Sequence, residues 1–380
     1  MAAPPATCQY WSESDVGATF LQIWPSARSS ALSGAMAALT DDPEASYWNP
    51  SALAFANRPQ VLASAQNYLP GLYPGMYYTY ATASVPLPER WLRGHNLALG
   101  LNNTWFKSGQ YDVVDDSGRY IGTLPMYDEA VGIQAATRIV PWLGLGLAVK
   151  YIYQSAGVTW DVWGGSTYDA SRTVAADVGA LVKPWRPLSL GLTLANLGPR
   201  VSVLYHGYHD WDNTVSPPTT LRIGLCYSPK QGKDTNRVFC PRFMAQIDKV
   251  LVGMFSDSNH NLSVAQKLDS EWRSTWKAVG VELTEFGLAS VRVGYFEDLA
   301  NARGGIVLIP EEDPESYAGQ ERFSLTDAVF KPHPGMRLAG IGLTWGGGIS
   351  YRNFQLDLSS DALVYDFPTA DLMLSLSYRF

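Results

Sequence analysis

Catalysis or metal binding would have to reside in histidine, cysteine and carboxylate side chains, and here these are sparse and scattered. Of five histidines in 380 residues, only His206 and His209, with Asp210, form a cluster. That spacing allows zinc, although a solvated loop suits the polar stretch around it better. Asp112, Asp115 and Asp116 offer oxygen ligands of the kind calcium takes, and a hydrated loop is again the simpler reading. There is no Gly-x-Ser-x-Gly elbow, phosphate loop or His-Glu-x-x-His. The chain is therefore read as non-enzymatic, with no cofactor and no metal. Cys226 and Cys240 lie symmetrically about Lys233 in a predicted hairpin. A cross-strand bridge and two separate buried thiols both fit, the bridge being geometrically awkward.

The composition points to an architecture without a soluble helical core. Apolar residues make up 46% and charged residues 17%, against roughly 25% charged in ordinary soluble domains. Glycine (34), tyrosine (21) and tryptophan (13) are abundant, which suits strands and turns. A net charge of −7 without a basic run argues against nucleic acid as a partner. No window approaches the roughly 18 apolar residues of a membrane helix, but strand-built membrane proteins carry no such signal. Met1–Tyr10 has neither a basic n-region nor an apolar h-region and is not a secretory signal. The export signal is expected to be missing from this sequence.

What must position any functional residue is a set of alternating strands. In the C-terminal stretch, Leu372, Leu374, Leu376, Tyr378 and Phe380 share one face, with Met373, Ser375, Ser377 and Arg379 on the other. Leu143, Leu145, Leu147 and Val149 alternate with Gly144, Gly146 and Ala148. Leu190, Leu192 and Leu194 alternate with Gly191 and Thr193. The second face is small or polar and carries few charges, as in a barrel whose large side chains face lipid. About fourteen strands are predicted, at 58–68, 72–86, 94–108, 125–140, 142–154, 172–184, 187–199, 217–229, 238–250, 273–286, 288–297, 337–346, 349–360 and 369–380. Their connections alternate in length. Short turns fall at Pro141, 183–187, 286–288 and Gly346-Gly347-Gly348. Long loops of about 15 to 40 residues fall at 109–124, 155–171, 200–216, 251–272 and 298–336. This asymmetry is that of outer-membrane barrels, with short periplasmic turns and long external loops.

The expected fold is thus all-β: a transmembrane antiparallel β-barrel of about 14 strands (residues 58–380) in a bacterial outer membrane, in contact with its lipid. An N-terminal segment (1–57) precedes it. Residues 29–56 are rich in Ala and Ser at helix-like spacing, with Asp42 placed to cap a helix starting at Pro43. This segment reads as a short helical hatch in the lumen or as a periplasmic tail.

Three stretches resemble one family. Ala27–Leu53, with its Asp41-Asp42 pair and Trp48-Asn49-Pro50, is similar to the N-terminal signature of FadL-like outer-membrane proteins. Leu190–Leu225, with Asn196-Leu197-Gly198-Pro199 and then Leu221-Arg222-Ile223-Gly224, resembles the PorV branch, as does Val279–Tyr295 with its Arg292-Val293-Gly294-Tyr295. The resemblance implies a fourteen-stranded barrel with an N-terminal hatch. A PorV-type role would be type IX protein secretion, with external loops binding the C-terminal domains of secreted cargo. Its partners would be the translocon and the attachment-complex subunits. The alternative is a FadL-like transporter of hydrophobic small molecules, which relatives pass inward through a lateral opening.

The residues set apart on these grounds are Asp41, Asp42, Trp48, Asn49 and Pro50 in the hatch and Asn196, Leu197, Gly198 and Pro199 at a strand end. The N-P and N-L-G-P stretches read equally as turn punctuation. Trp160, Trp163 and Trp211, in the long loops, would anchor a protein partner or fold inward as a cap. Trp142, Trp185, Trp345 and Tyr378 are expected near the short turns, at the membrane interface.

Overall fold

The computed structural model describes residues 16–71, 75–88, 96–114, 117–160, 166–205, 208–229, 239–254, 263–311, 321–365, 369 and 371–380. Fourteen strands form one closed antiparallel barrel. They are β1 (Gln60–Asn67), β2 (Tyr77–Leu87), β3 (Leu97–Val114), β4 (Tyr120–Val140), β5 (Leu143–Trp160), β6 (Ser166–Trp185) and β7 (Leu188–Leu197). There follow β8 (Thr220–Tyr227), β9 (Phe239–Val250), β10 (Trp276–Glu285), β11 (Ala289–Asp298), β12 (Leu343–Tyr351), β13 (Phe354–Ser360) and β14 (Met373–Arg379). Each strand pairs with its sequence neighbours, and β1 pairs with β14 to close the ring, Gln60 opposite Arg379.

The alternation places large apolar side chains outside. Leu145, Leu192 and Leu374 are 42%, 50% and 49% exposed on the outer face. Their neighbours Gly144, Gly191 and Met373 point into the lumen, and the core sits there, between wall and N-terminal segment. No helix among the described residues is long and apolar enough to cross a membrane; the strands do so instead.

Several boundaries differ from the sequence expectation, each for a physical reason. The loops expected at 109–124 and 155–171 are largely continuations of β3–β6, which run to 18, 21, 18 and 20 residues. At roughly 3.3 Å per residue these reach about twice the hydrocarbon thickness. They pair as extended hairpins on the long-loop side, where alternation is no longer enforced by lipid. The 200–216 connection holds a hairpin of Val201–Tyr205 and Tyr208–Val215. In the 298–336 connection, short strands at Ile306–Pro310 and Glu321–Phe323 pair in a three-stranded sheet with Met336–Ile341. The sequence pattern reads that last stretch as the start of the barrel strand at 337–346; in the structure the barrel strand begins at Leu343.

Gly346-Gly347-Gly348 is not a turn. It lies within β12, and the chain reverses at Arg352-Asn353, where Tyr351 pairs with Phe354 and Arg352 has φ 54°. Two of the glycines leave needed room on the lumen side: a Cβ on Gly346 would sit 2.6 Å from the Ala31 methyl, and one on Gly348 would run into the Asp357 carboxylate. The shift also moves Trp345, 49% exposed, to the long-loop half of β12, while Trp142 and Trp185 stay beside the short turns. Cys226 lies opposite Met244 and Cys240 opposite Thr284, so the two are out of register and both thiols are free.

A charge on the outer face tests this orientation. Leu192→Arg is expected to destabilise the barrel by about 2–4 kcal/mol if it lies near mid-bilayer, read as an earlier unfolding midpoint in urea from lipid vesicles.

Candidate functional site: the plugged lumen

The N-terminal segment is a plug inside the barrel, not a tail. It enters on the long-loop side, where Gly17 N–H donates to Ser216 O at 2.8 Å. Helix α1 (Ala27–Ala31) begins with a capping box in which Ser26 and Ser29 each receive the other's backbone N–H. It stops at Ser33 and Gly34, which have positive φ of 55° and 79°. The segment then bends through Asp41-Asp42-Pro43 into α2 (Ala45–Trp48) and a 3₁₀ turn, Pro50–Phe55. No helix starts at Pro43 for Asp42 to cap: α2 begins at Ala45 with Glu44 at its N-cap, and Asp42 receives the Glu44 N–H at Oδ1 (3.0 Å) and binds Arg28 through Oδ2.

Such short helices leave many backbone groups without partners, and the wall supplies them. Gln246 Oε1 accepts from the N–H of Met36 (2.9 Å) and Ala37 (2.7 Å). Thr344 Oγ1 donates to Ala31 O (3.0 Å), Ser375 Oγ accepts from Ala27 N–H (2.7 Å), and the Arg222 guanidinium reaches Tyr47 O at 3.3 Å. Asn49 is the densest tie. Its amide donates to Ala37 O (3.1 Å) within the plug and to Ala180 O (3.0 Å) on β6, while Oδ1 receives Ser51 N–H and hydroxyl. Pro50 lies against Gly179 and Gly146, and buried Trp48 carries the Arg222 guanidinium 5.0 Å above its ring.

Lumen-facing glycines on eight strands make this approach possible. A side chain at Gly191 would run into the Ala37 carbonyl, at Gly146 into the Pro50–Ser51 peptide, at Gly144 into Phe55 (2.7 Å) and at Gly280 into Leu32 (3.1 Å). The motif residues belong to the same contacts. Arg222 with Gly224, Glu282 with Gly280, and Arg292 with Gly294 are i,i+2 pairs facing inward together. In each, a charged side chain stands beside a gap that admits the plug.

At the short-turn end of the plug lies a charge cluster. Arg28 grips Glu282 with two parallel bonds (Nε–Oε2 and Nη2–Oε1, both 2.9 Å) and Asp42 with a third (2.7 Å). Glu282 also receives Arg292 (2.7 Å), which bridges to Asp357 (2.6 Å), and Arg242 binds Asp41 (2.8 Å). Arg379 donates to the Asp41 carbonyl at 2.7 Å. Burial opposes the charge on Arg28, but Glu282, Asp41 and Asp42 outweigh it and raise its pKa well above the usual value. Partial desolvation opposes ionisation of Asp41, whose side chain is 46% exposed, and Arg242, Arg28 and Arg379 prevail, holding its carboxyl well below the usual range. These side chains border a polar cavity of about 410 Å³ opening between the short turns. Cys240 lines it.

On the opposite, long-loop side of the plug is an aromatic recess formed by Trp24, Tyr68, Trp276, Phe296 and Tyr365. Trp24 meets Phe296 edge-on at 5.3 Å, and the Arg303 guanidinium stacks 4.8 Å above Trp276. Asp361, on the loop after β13, borders it. Burial, then the charge of Asp371, pushes its pKa up to about 7, and burial pushes Asp371 to about 6.

The remaining sequence candidates fall elsewhere. Asn196 (φ 58°) forms a β-bulge in β7, with Ala195 and Asn196 opposite Asp177 alone. Asp177 accepts the Asn196 N–H (2.7 Å), and Lys150 donates to Asn196 Oδ1 (2.6 Å) while pairing with Asp177 (2.8 Å). Leu197 ends the strand, Gly198 packs on the Val174 carbonyl, and Pro199 begins the loop. Trp160 ends β5 and Trp211 lies in the Tyr208–Val215 strand. Trp163, His206, Asp115 and Asp116 lie outside the described residues, among which no group of three His, Cys, Asp or Glu is placed to hold a metal. Arg28, Arg242 and Asp357 do not stand out in the sequence, and Arg292 does so only within a family-like motif. The signal for Arg242, Arg292 and Asp357 is an inward-facing charge on strands whose lumen face is mostly small.

No family model matches the chain, and no curated protein does. Solved structures do match. The toluene transporter TodX of Pseudomonas putida superposes with a TM-score of 0.53 at 11% identity, covering 93% of this chain and 97% of its own. CymD, a monoaromatic hydrocarbon channel, gives 0.50 at 12% identity, covering 93% and 97%. A Pseudomonas aeruginosa FadL homologue gives 0.46 at 12% identity, covering 94% and 98%. The protein is a bacterial outer-membrane β-barrel. Its likeness to TodX and CymD is one of fold.

Removing a partner from a buried ion cluster leaves charge uncompensated, at about 3–5 kcal/mol. Arg28→Ala is expected to loosen the plug, measured as faster thermolysin cleavage before the buried Leu32, Met36 and Leu39 within an intact barrel and as raised conductance in planar bilayers. Gly146→Val, by overpacking worth about 1–3 kcal/mol, should act in the same direction. The pH responses of the two ends differ. A depressed carboxyl stabilises above its unfolded pKa and loses this only as pH falls through its lowered value, so the Asp41 end should hold at neutral and mildly acid pH. A raised carboxyl stabilises fully below its unfolded pKa of about 3.9 and loses this as pH rises through its folded value. Hydrogen exchange in 361–365 should therefore quicken as pH climbs through about 7.

Proposed function

We propose that this barrel carries hydrophobic small molecules across the outer membrane. The observation that supports this reading is the aromatic recess on the external side of a plugged lumen, within the barrel type that TodX and CymD share. Edge-on and tilted rings give an apolar molecule a binding surface, and the approach from outside runs between the long loops. The charge cluster beyond the plug makes a straight descent unfavourable for an apolar solute, since it would have to part ion pairs it cannot replace. Passage therefore requires the plug to shift or the solute to leave sideways.

The second reading is capture of type IX cargo C-terminal domains by the external loops, with translocon and attachment-complex subunits as partners. It rests on the motif resemblance. Those motif residues, Arg222-x-Gly224, Gly280-x-Glu282 and Arg292-x-Gly294, hold the plug. They speak for the shared architecture and add no weight to cargo capture. Co-purification of translocon subunits or cargo domains with the detergent-solubilised barrel would favour this second reading.

Uptake of labelled toluene by cells expressing the barrel, against cells lacking it, tests the first. Phe296→Ala is expected to lower initial uptake by about two- to tenfold, the worth of one aromatic contact of 0.5–1.5 kcal/mol. Equal uptake with and without the barrel would refute the transport reading.

A further inference from the structure

The aromatic recess contains polar atoms that a hydrocarbon would leave unserved. Trp276 is 8% exposed and Asp361 5% exposed. The indole Nε1–H of Trp276 and Oδ1 of Asp361 are both buried without a hydrogen-bond partner, and so is the Nε2 amide of Gln22 at the same recess. Buried donors and acceptors are almost always satisfied in folded proteins, and an orphan asks for a missing partner. Arg303, also at the recess, is engaged with Asp298 (2.7 Å) and with the Trp276 face. We propose that the recess binds the hydroxyl group of a small aromatic alcohol or phenol, with Trp276 and Asp361 as the specificity-determining residues. This rests on the transport reading and names its substrate class.

The shape and the charge inventory select this chemistry. The recess that Trp276, Asp361 and Gln22 line together holds about 20 Å³ of free space, room for one group the size of a water or hydroxyl. The polar end of a ligand fits there, and its ring lies at the half-buried rim against Ile23, Trp24 and Tyr68. A hydroxyl both donates and accepts. It receives the Trp276 N–H and donates to Asp361 when that carboxyl is ionised, or accepts from it when protonated. A carboxylate would face Asp361 and, through it, Asp371. An ammonium has no lone pair for the indole N–H and would sit beside the Arg303 guanidinium. A methyl group serves none of these atoms.

Phenol and toluene differ by a hydroxyl in place of a methyl, which makes them the probes. Binding of each to the detergent-solubilised full chain is measured by calorimetry, beside uptake of each into expressing cells. The wild type should bind phenol about tenfold more tightly than toluene. Trp276→Phe, which keeps a ring and removes the N–H, should bring the two within about twofold, and Asp361→Asn should reduce phenol affinity without changing that for toluene. An unchanged melting temperature and plug protease pattern in both variants excludes misfolding as the cause. Equal affinity for the two probes in the wild type would overturn the proposal, as it would if an ordered water already serves these atoms. So would a phenol preference that survives Trp276→Phe. Absence of uptake for both probes refutes the transport reading, whereas toluene uptake without phenol preference refutes the hydroxyl site alone.

Discussion

Everything in this molecule depends on backbone-to-backbone contact between an N-terminal plug and a wall thinned by glycine. A fourteen-stranded cylinder is too wide for wall side chains alone to fill, so its interior must be water or a second piece of chain. Here it is chain. Gly191 against the Ala37 carbonyl and Gly146 against the Pro50–Ser51 peptide bring main chain onto main chain. Gln246, Asn49 and Thr344 then complete the hydrogen bonds that so short a run of helix cannot make for itself. Glycine in a strand normally weakens it; in this wall the loss is offset by the packing it admits.

The charge cluster follows from the same closeness. Arg28 is carried by a five-residue helix and reaches Glu282 only because Gly280 and Gly294 let α1 lie directly on the wall. Its two-pronged grip fixes direction as well as distance, so the plug is held in one orientation. The two ends of the lumen differ accordingly. One is ionic and opens between short turns; the other is aromatic and lies among long loops.

Much of the fold was legible because lipid enforces alternation residue by residue. Leu374 out and Ser375 in could be read directly, as could the strand count. Legibility failed where that constraint lapses. Beyond the bilayer β3–β6 continue with no lipid to mark them, and their turns were placed too early. Three consecutive glycines in β12 carry no alternation and mimic a turn, though Gly346 makes room for α1 and Gly348 for the Arg292–Asp357 pair. In the site, Asn49 and Pro50 stood out by type, whereas Arg28 did not: an arginine among serines gives no hint that its partner lies 254 residues away. The aromatic recess draws on the plug, β10, β11 and three loops, so no single stretch announces it.

The seam between β1 and β14 also carries ties to the plug: Ser64 on β1 donates to the Pro25 carbonyl, and Ser375 on β14 receives the Ala27 N–H. The plug is thereby fastened to both strands of the joint that closes the ring. Seal and stopper share these few contacts, so a change that frees the plug here also weakens the joint.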